Sequence, residues 1–235
     1  MLGAVLWGAV AASSLLCGAL LSMVRAWSDR SIGTVLGFGA GALIASVSFE
    51  LAEDGFQGGG APPVAIGLAL GAAAYFTANG IVARSGAQAG RAPAGTALAL
   101  GALLDGIPEQ AVLGLSLGTG ESVSIALLVA VFVSNLPESA GSSAEMLQSG
   151  KPRSFVIGLW SLVTAVCIAA TWAGAAVSTA VSSELTAGIK GFAAGALLVM
   201  LVDSMIPDAK EKASDLAGLA TVVGFALAAG MSLMG

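Results

Sequence analysis

Two hexapeptides near the middle of the chain hold most of its capacity for chemistry. Asp105-Gly106-Ile107-Pro108-Glu109-Gln110 and Ser134-Asn135-Leu136-Pro137-Glu138-Ser139 follow one pattern: two small or polar residues, an aliphatic, Pro, Glu and a polar residue. Each sits in the middle of an apolar run. On a helix, each Pro removes one backbone donor and frees the carbonyl four residues earlier, Leu104 for Pro108 and Val133 for Pro137. Asp105 and Glu109 are four apart, as are Ser134 and Glu138, so each pair stacks on one helix face beside its opened carbonyl. If the two faces meet, three carboxylates, an amide and a hydroxyl converge. A carboxylate at membrane depth costs about 2.5–3.5 kcal/mol on insertion scales, and three in a small volume also repel one another. A bound dication offsets both costs. The expected site is therefore one divalent cation held by Asp105, Glu109 and Glu138, helped by Ser134 and Asn135, with Gln110 within reach. The sequence contains no His, which removes the commonest transition-metal ligand. Oxygen ligands alone make a hard site that suits Mn²⁺, Fe²⁺, Mg²⁺ or Ca²⁺ relatively better than Zn²⁺.

These residues need elements to hold them, and the composition says which. Of 235 residues, 57% are hydrophobic and only 10% charged, which excludes a soluble globular domain, a disordered tail and a nucleic-acid binder. The partner implied is the lipid bilayer. Apolar runs and polar breaks give eight candidate helices, roughly 2–24, 32–53, 62–83, 95–118, 122–148, 154–181, 185–207 and 215–234. The fold class expected is all-α, a polytopic membrane protein of eight transmembrane helices. Arg25 and Arg30, Arg84 and Arg91, Lys151 and Arg153, and Lys210 and Lys212 fall in odd-numbered connections, and Lys190 alone falls on the other side. The positive-inside bias then places odd loops in the cytoplasm and both termini outside. Gly86, Gly90 and Pro93 mark the third connection as a candidate hinge. Cys17 and Cys167 lie inside apolar runs and read as small core residues. The tryptophans read as packing residues or interfacial anchors.

The second and seventh helices repeat one another. Gly37-Phe38-Gly39-Ala40-Gly41-Ala42-Leu43-Ile44 returns as Gly191-Phe192-Ala193-Ala194-Gly195-Ala196-Leu197-Leu198, and both copies lead into acids, Glu50, Glu53 and Asp54 in the first, Asp203 and Asp208 in the second. With five spans from start to start, the copies cross the membrane in opposite senses. Such inverted repeats recur in secondary transporters, whose sites lie where the halves meet. The small residues permit close or sliding helix contact, and they allow a homodimer without requiring one.

With these motifs the chain resembles the ZIP (Zrt/Irt-like) divalent-metal transporters. The fourth span of that family typically reads His-Asn-x-Pro-Glu-Gly, which Asp105, Gly106, Pro108 and Glu109 follow by position. The fifth reads His-Glu-x-Pro-His-Glu or a variant, matched by Ser134, Asn135, Pro137 and Glu138. Glu50 falls near the family's Phe-x-His-x-x-Pro-Glu ending, and Asp203-Ser204-Met205-Ile206-Pro207-Asp208 resembles its Asp-x-x-Pro-Glu ending. The resemblance implies a 3+2+3 arrangement: a first three-helix repeat over 1–83, a central two-helix unit over 95–148 and a second repeat over 154–235. It also implies movement of a metal ion into the cytoplasm by alternating access, with the metal as substrate and no cofactor. Glu50, Glu53 and Asp54 would then attract cations at an outer entrance, and Glu145, Asp203 and Asp208 would pass them inward. The departures are that every family His is missing, that Gly106 has no ligating side chain, and that the sixth span offers no carboxylate. They leave room for a transport-inactive scaffold or metal sensor, or for a carrier of a non-metal cation. An enzyme is not expected, because neither Asp105 nor Asp203 lies in a hydrolase context. Short loops suggest a bacterial-type cytoplasmic membrane.

Overall fold

The computed structural model describes the backbone of residues 2–24, 27–89, 94–118, 125–178 and 180–233; within these, the side chains of 82–89, 94–102, 104, 105, 126 and 145 lie outside the described residues. Among the described residues the chain is helical throughout and contains no strand. Eight continuous helical segments follow one another: α1 (Leu2–Val24), α2 (Asp29–Gly59), α3 (Ala61–Ala89), α4 (Ala94–Gly118), α5 (Ile125–Gln148), α6 (Arg153–Ser178), α7 (Ser183–Ala213) and α8 (Asp215–Ser232). Six of them, α1, α2, α3 over Ala61–Ile81, α6, α7 and α8, are long and apolar enough to cross a membrane. The central pair α4 and α5 include residues outside the described set. The architecture is that of an all-helical polytopic membrane protein.

Helix boundaries differ from the sequence expectation at informative places. Helix α3 runs to Ala89, so Arg84 and Gly86 belong to a helix rather than a hinge, while Arg25, Gly90, Arg91 and Pro93 fall outside the described residues. Lys210 and Lys212 sit in the last helical turn of α7 rather than in a loop. The reason is length. Helices α2 and α7 each have 31 residues, or about 46 Å at 1.5 Å per residue, against a hydrocarbon layer of about 30 Å. Their charged ends therefore extend past the apolar layer without leaving the helix.

The repeated segments share their local structure as well as their sequence. Ser28 caps α2 by accepting from Ser31 N at 3.2 Å, and Ser182 caps α7 by accepting from Leu185 N at 3.3 Å; both satisfy one of the orphan donors of a helix start. Eighteen helical residues follow each cap, Asp29–Ser46 and Ser183–Met200, and then a π-helical segment, Val47–Glu53 in α2 and Leu201–Met205 in α7. Both helices end on a positive φ, 86° at Gly60 and 51° at Ser214. The caps, the starts of the π-helical segments and the positive-φ breaks recur at the same spacing of residue numbers, while the π-helical segment is 7 residues long in α2 and 5 in α7.

Glycines set the helix pairing. A Cβ at Gly37 would lie 2.7 Å from Ala217 O, and one at Gly41 would strike Thr221 O, so α2 lies along α8. Cβ atoms at Gly191 and Gly195 would strike Val64 O and Leu68 O, so α7 lies along α3 in the same manner. In return, Gly224 of α8 abuts Phe38 O and Gly71 of α3 abuts Phe192 O. Phe38 and Phe192 hold the same place in the two sequence copies. Small-residue faces of this kind let helix backbones approach closely where lipid offers no hydrophobic drive. Two buried clusters result, a large one from α2, α4, α5, α7 and α8, and a smaller one built on Leu15, Met146 and the fully buried Trp160.

Candidate metal site

Helix α4 continues through Pro108 and carries Glu109 and Gln110 into the interior, where Glu109 is 1% exposed. Its close partner is α6. Gly114 packs on Thr171 O, Gly174 on Ala111 O, and a Cβ at Gly106 would stand 2.9 Å from the Cys167 thiol. Gly106 therefore has a role despite lacking a ligating group: it admits the thiol within one turn of Glu109. Gln110 Oε1 accepts a 2.6 Å hydrogen bond from Thr171 Oγ1, both side chains being fully buried. The same hydroxyl lies 3.3 Å from Cys167 O. Two protonic arrangements are open to this pair. In one Thr171 donates to Gln110; in the other Thr171 donates to Cys167 O and receives Gln110 Nε2, which turns the amide oxygen toward the interior. In the first, Gln110 Nε2 is a buried donor with no hydrogen-bond partner.

Helix α5 continues through Pro137 and presents Ser134 and Asn135 as buried side chains and Glu138 as a half-buried one. A Cβ at Gly39 of α2 would lie 3.0 Å from Ser134 Cα, so α2 presses directly on the site-bearing turn of α5. Ser134 Oγ donates to Val131 O at 3.0 Å, which leaves its lone pairs available. Ser139 Oγ lies 2.9 Å from Asn135 O and 3.0 Å from Leu136 O, bonding back onto the turn around Pro137. Asn135 Nδ2 is buried without a hydrogen-bond partner. Unsatisfied buried amides are uncommon in native interiors, which sets this turn of α5 apart from ordinary core.

Helices α4 and α5 pack against one another, so Glu109 and Glu138 lie on adjoining helices. Asp105, the expected third carboxylate, lies in α4 with its side chain outside the described residues, as does that of Glu145 in α5. Among the described residues, no three His, Cys, Asp or Glu side chains gather closely enough to hold a metal ion.

The acids expected along a pathway are engaged locally. Glu50, in the π-helical turn of α2, accepts from Ser232 Oγ of α8. Glu53 accepts from Gln57 Nε2 at 3.1 Å. Asp54 pairs with Lys190 Nζ at 3.5 Å. Asp203 is exposed, and Asp208 is half-buried beside Lys212 and Glu211 of its own helix. Three residues near these groups escape sequence reasoning as site neighbours: Thr171, Cys167 and Lys190. Cys167 and Thr171 are four apart on one face of α6, a visible signal, but nothing in the sequence states that this face meets Gly106 and Gln110.

No protein-family model matches the chain. Over 191 residues it is 27% identical to an Arabidopsis thaliana protein described as a "putative zinc transporter", an alignment that takes in 77% of this chain and 30% of that protein. The chain thus spans less than a third of that relative's length.

Proposed function

We propose that the chain is a divalent-metal transporter of the ZIP type, moving a metal ion into the cytoplasm by alternating access, with Asp105, Glu109 and Glu138 as ligands and Ser134, Asn135 and Gln110 as auxiliary oxygen donors. The observation that carries this reading is Glu109, a carboxylate 1% exposed in an apolar membrane bundle, with Glu138 on the adjoining helix α5. A carboxylate buried at membrane depth is costly unless a cation or a proton neutralises it. The similarity to a protein described as a zinc transporter agrees in class. In this reading the two three-helix repeats are inverted copies, with the third helix of each packed on the second helix of the other. The exchanged Gly37, Gly41 and Gly191, Gly195 contacts support that arrangement. Both termini then lie on one side, because an even number of spans returns the chain to its starting side, and the positive-inside bias makes that side the outside.

The test is uptake into proteoliposomes across Mn²⁺, Fe²⁺, Zn²⁺, Cd²⁺ and Mg²⁺, with Glu109→Ala as the control. Saturable uptake that falls to the empty-liposome level in Glu109→Ala is expected, with Mn²⁺ or Fe²⁺ competing better than an all-oxygen site would allow Zn²⁺ to. Uptake untouched by Glu109→Ala contradicts the assignment. Metal binding without flux would instead favour a transport-inactive scaffold or sensor, a reading that the missing histidines keep in view.

A further inference from the structure

Lys190 stands in the second turn of α7 and is 5% exposed, although it carries a charge inside a membrane bundle. Its stem runs over Gly55, whose Cβ position is 3.8 Å from Lys190 Cβ, and its ammonium reaches Asp54 on α2 at 3.5 Å. The repeat supplies its own control for this arrangement. At the place of Lys190 the other copy has Leu36, 6% exposed; at the place of Gly55 it has Ala209; at the place of Asp54 it has Asp208. The surrounding contacts are otherwise exchanged in kind. Gly55 and Gly59 rest against Ala187 of α7, and in the other half Gly33 of α2 rests against Ala209 and Ala213. One architecture is therefore closed by an apolar Leu36 in one half and, in the other, by a buried lysine whose ammonium pairs with a carboxylate at the bundle edge, the Asp54 side chain being 44% exposed. Packing alone does not require the lysine, since the same place accepts leucine, and desolvating an ammonium is unfavourable unless it is paired.

We propose that Lys190 and Asp54 form an electrostatic latch that fastens the C-terminal turns of α2 to α7, so that this end of the bundle is held while the equivalent end, where α7 rests on α2, is free to part. The latch makes two otherwise matched halves unequal and biases which of them opens. Buried Lys190 also ceases to be an exception to the distribution of positive charge, because an ammonium paired inside the bundle does not act as a loop charge.

Hydrogen exchange of the purified protein, followed by mass spectrometry, reads both ends at once. Residues 54–60 should exchange more slowly than the equivalent 208–214. Lys190→Leu, which installs the residue the other half already uses, should raise exchange over 54–60 about tenfold and leave 208–214 unchanged. Asp54→Asn should reproduce the rise and lower Tm further, because it leaves the ammonium buried without its carboxylate. Adding Lys190→Leu to Asp54→Asn should recover that extra loss of Tm. Unchanged exchange over 54–60 in folded Lys190→Leu overturns the latch, as does a Tm in the double variant no higher than in Asp54→Asn. The inference rests on the two-repeat reading of the fold, and the experiment contains no metal, so its failure is separate from failure of the uptake test.

Discussion

At the scale of single residues, the two Pro-Glu turns were legible because their chemistry is local: a carboxylate one residue after a helix-interrupting proline in an apolar run is costly without a partner. Their surroundings were not. Gln110 is bonded to Thr171, and Gly106 makes room for Cys167, because α4 and α6 lie side by side in one register, a tertiary fact absent from either helix alone. Cys167 reads as a small core residue and is one, packed in the same cluster as Trp160 and against Gly106. The bond from Thr171 supports a prediction. Thr171→Val keeps the shape and removes the hydroxyl, leaving the buried Gln110 amide one partner short, a loss of about 1–3 kcal/mol. Thermal unfolding in detergent should show a lower Tm for Thr171→Val and a Tm close to the parent for Thr171→Ser.

At the scale of elements, the glycine repeat announced two equivalent helices but not how they are used. Its Gly and Ala positions are equally compatible with a face turned to a neighbour, to a second copy of the chain or to a sliding contact. The structure turns Gly37 and Gly41 onto α8 and Gly191 and Gly195 onto α3. The serine caps, π-helical turns and positive-φ breaks make both helices longer than their apolar cores, which is why their ends were misread as loops. A π turn is invisible to hydrophobic periodicity, since it shifts the register only within a segment already apolar. If the two contacts are equivalent, Gly41→Val and Gly195→Val should each be destabilised by about 1–3 kcal/mol or more, since each Cβ would meet a backbone carbonyl that side-chain rotation cannot move. Gly158 faces open space, so Gly158→Ala should be neutral or gain up to about 1 kcal/mol. Parallel thermal melts of the three variants distinguish a shared packing scheme from two unrelated ones.

At the scale of the whole molecule, the membrane class followed from composition, whereas the pairing of α2 with α8 and of α3 with α7 depends on contacts between residues more than a hundred positions apart, such as Gly37 with Ala217 and Gly71 with Phe192. The proposed transport function places one ion between α4 and α5, and this convergence is what the rest of the account requires. Equilibrium dialysis with Mn²⁺ tests it directly on the parent, Glu109→Gln, Glu138→Gln and the double variant, all compared at equal folded concentration. If both carboxylates hold the same ion, either single change should weaken binding at least tenfold, about 1.4 kcal/mol, and the double change should cost clearly less than the sum of the two. Strictly additive losses, or two independent sites each removed by one substitution, would contradict a shared ion between the proline-bearing helices.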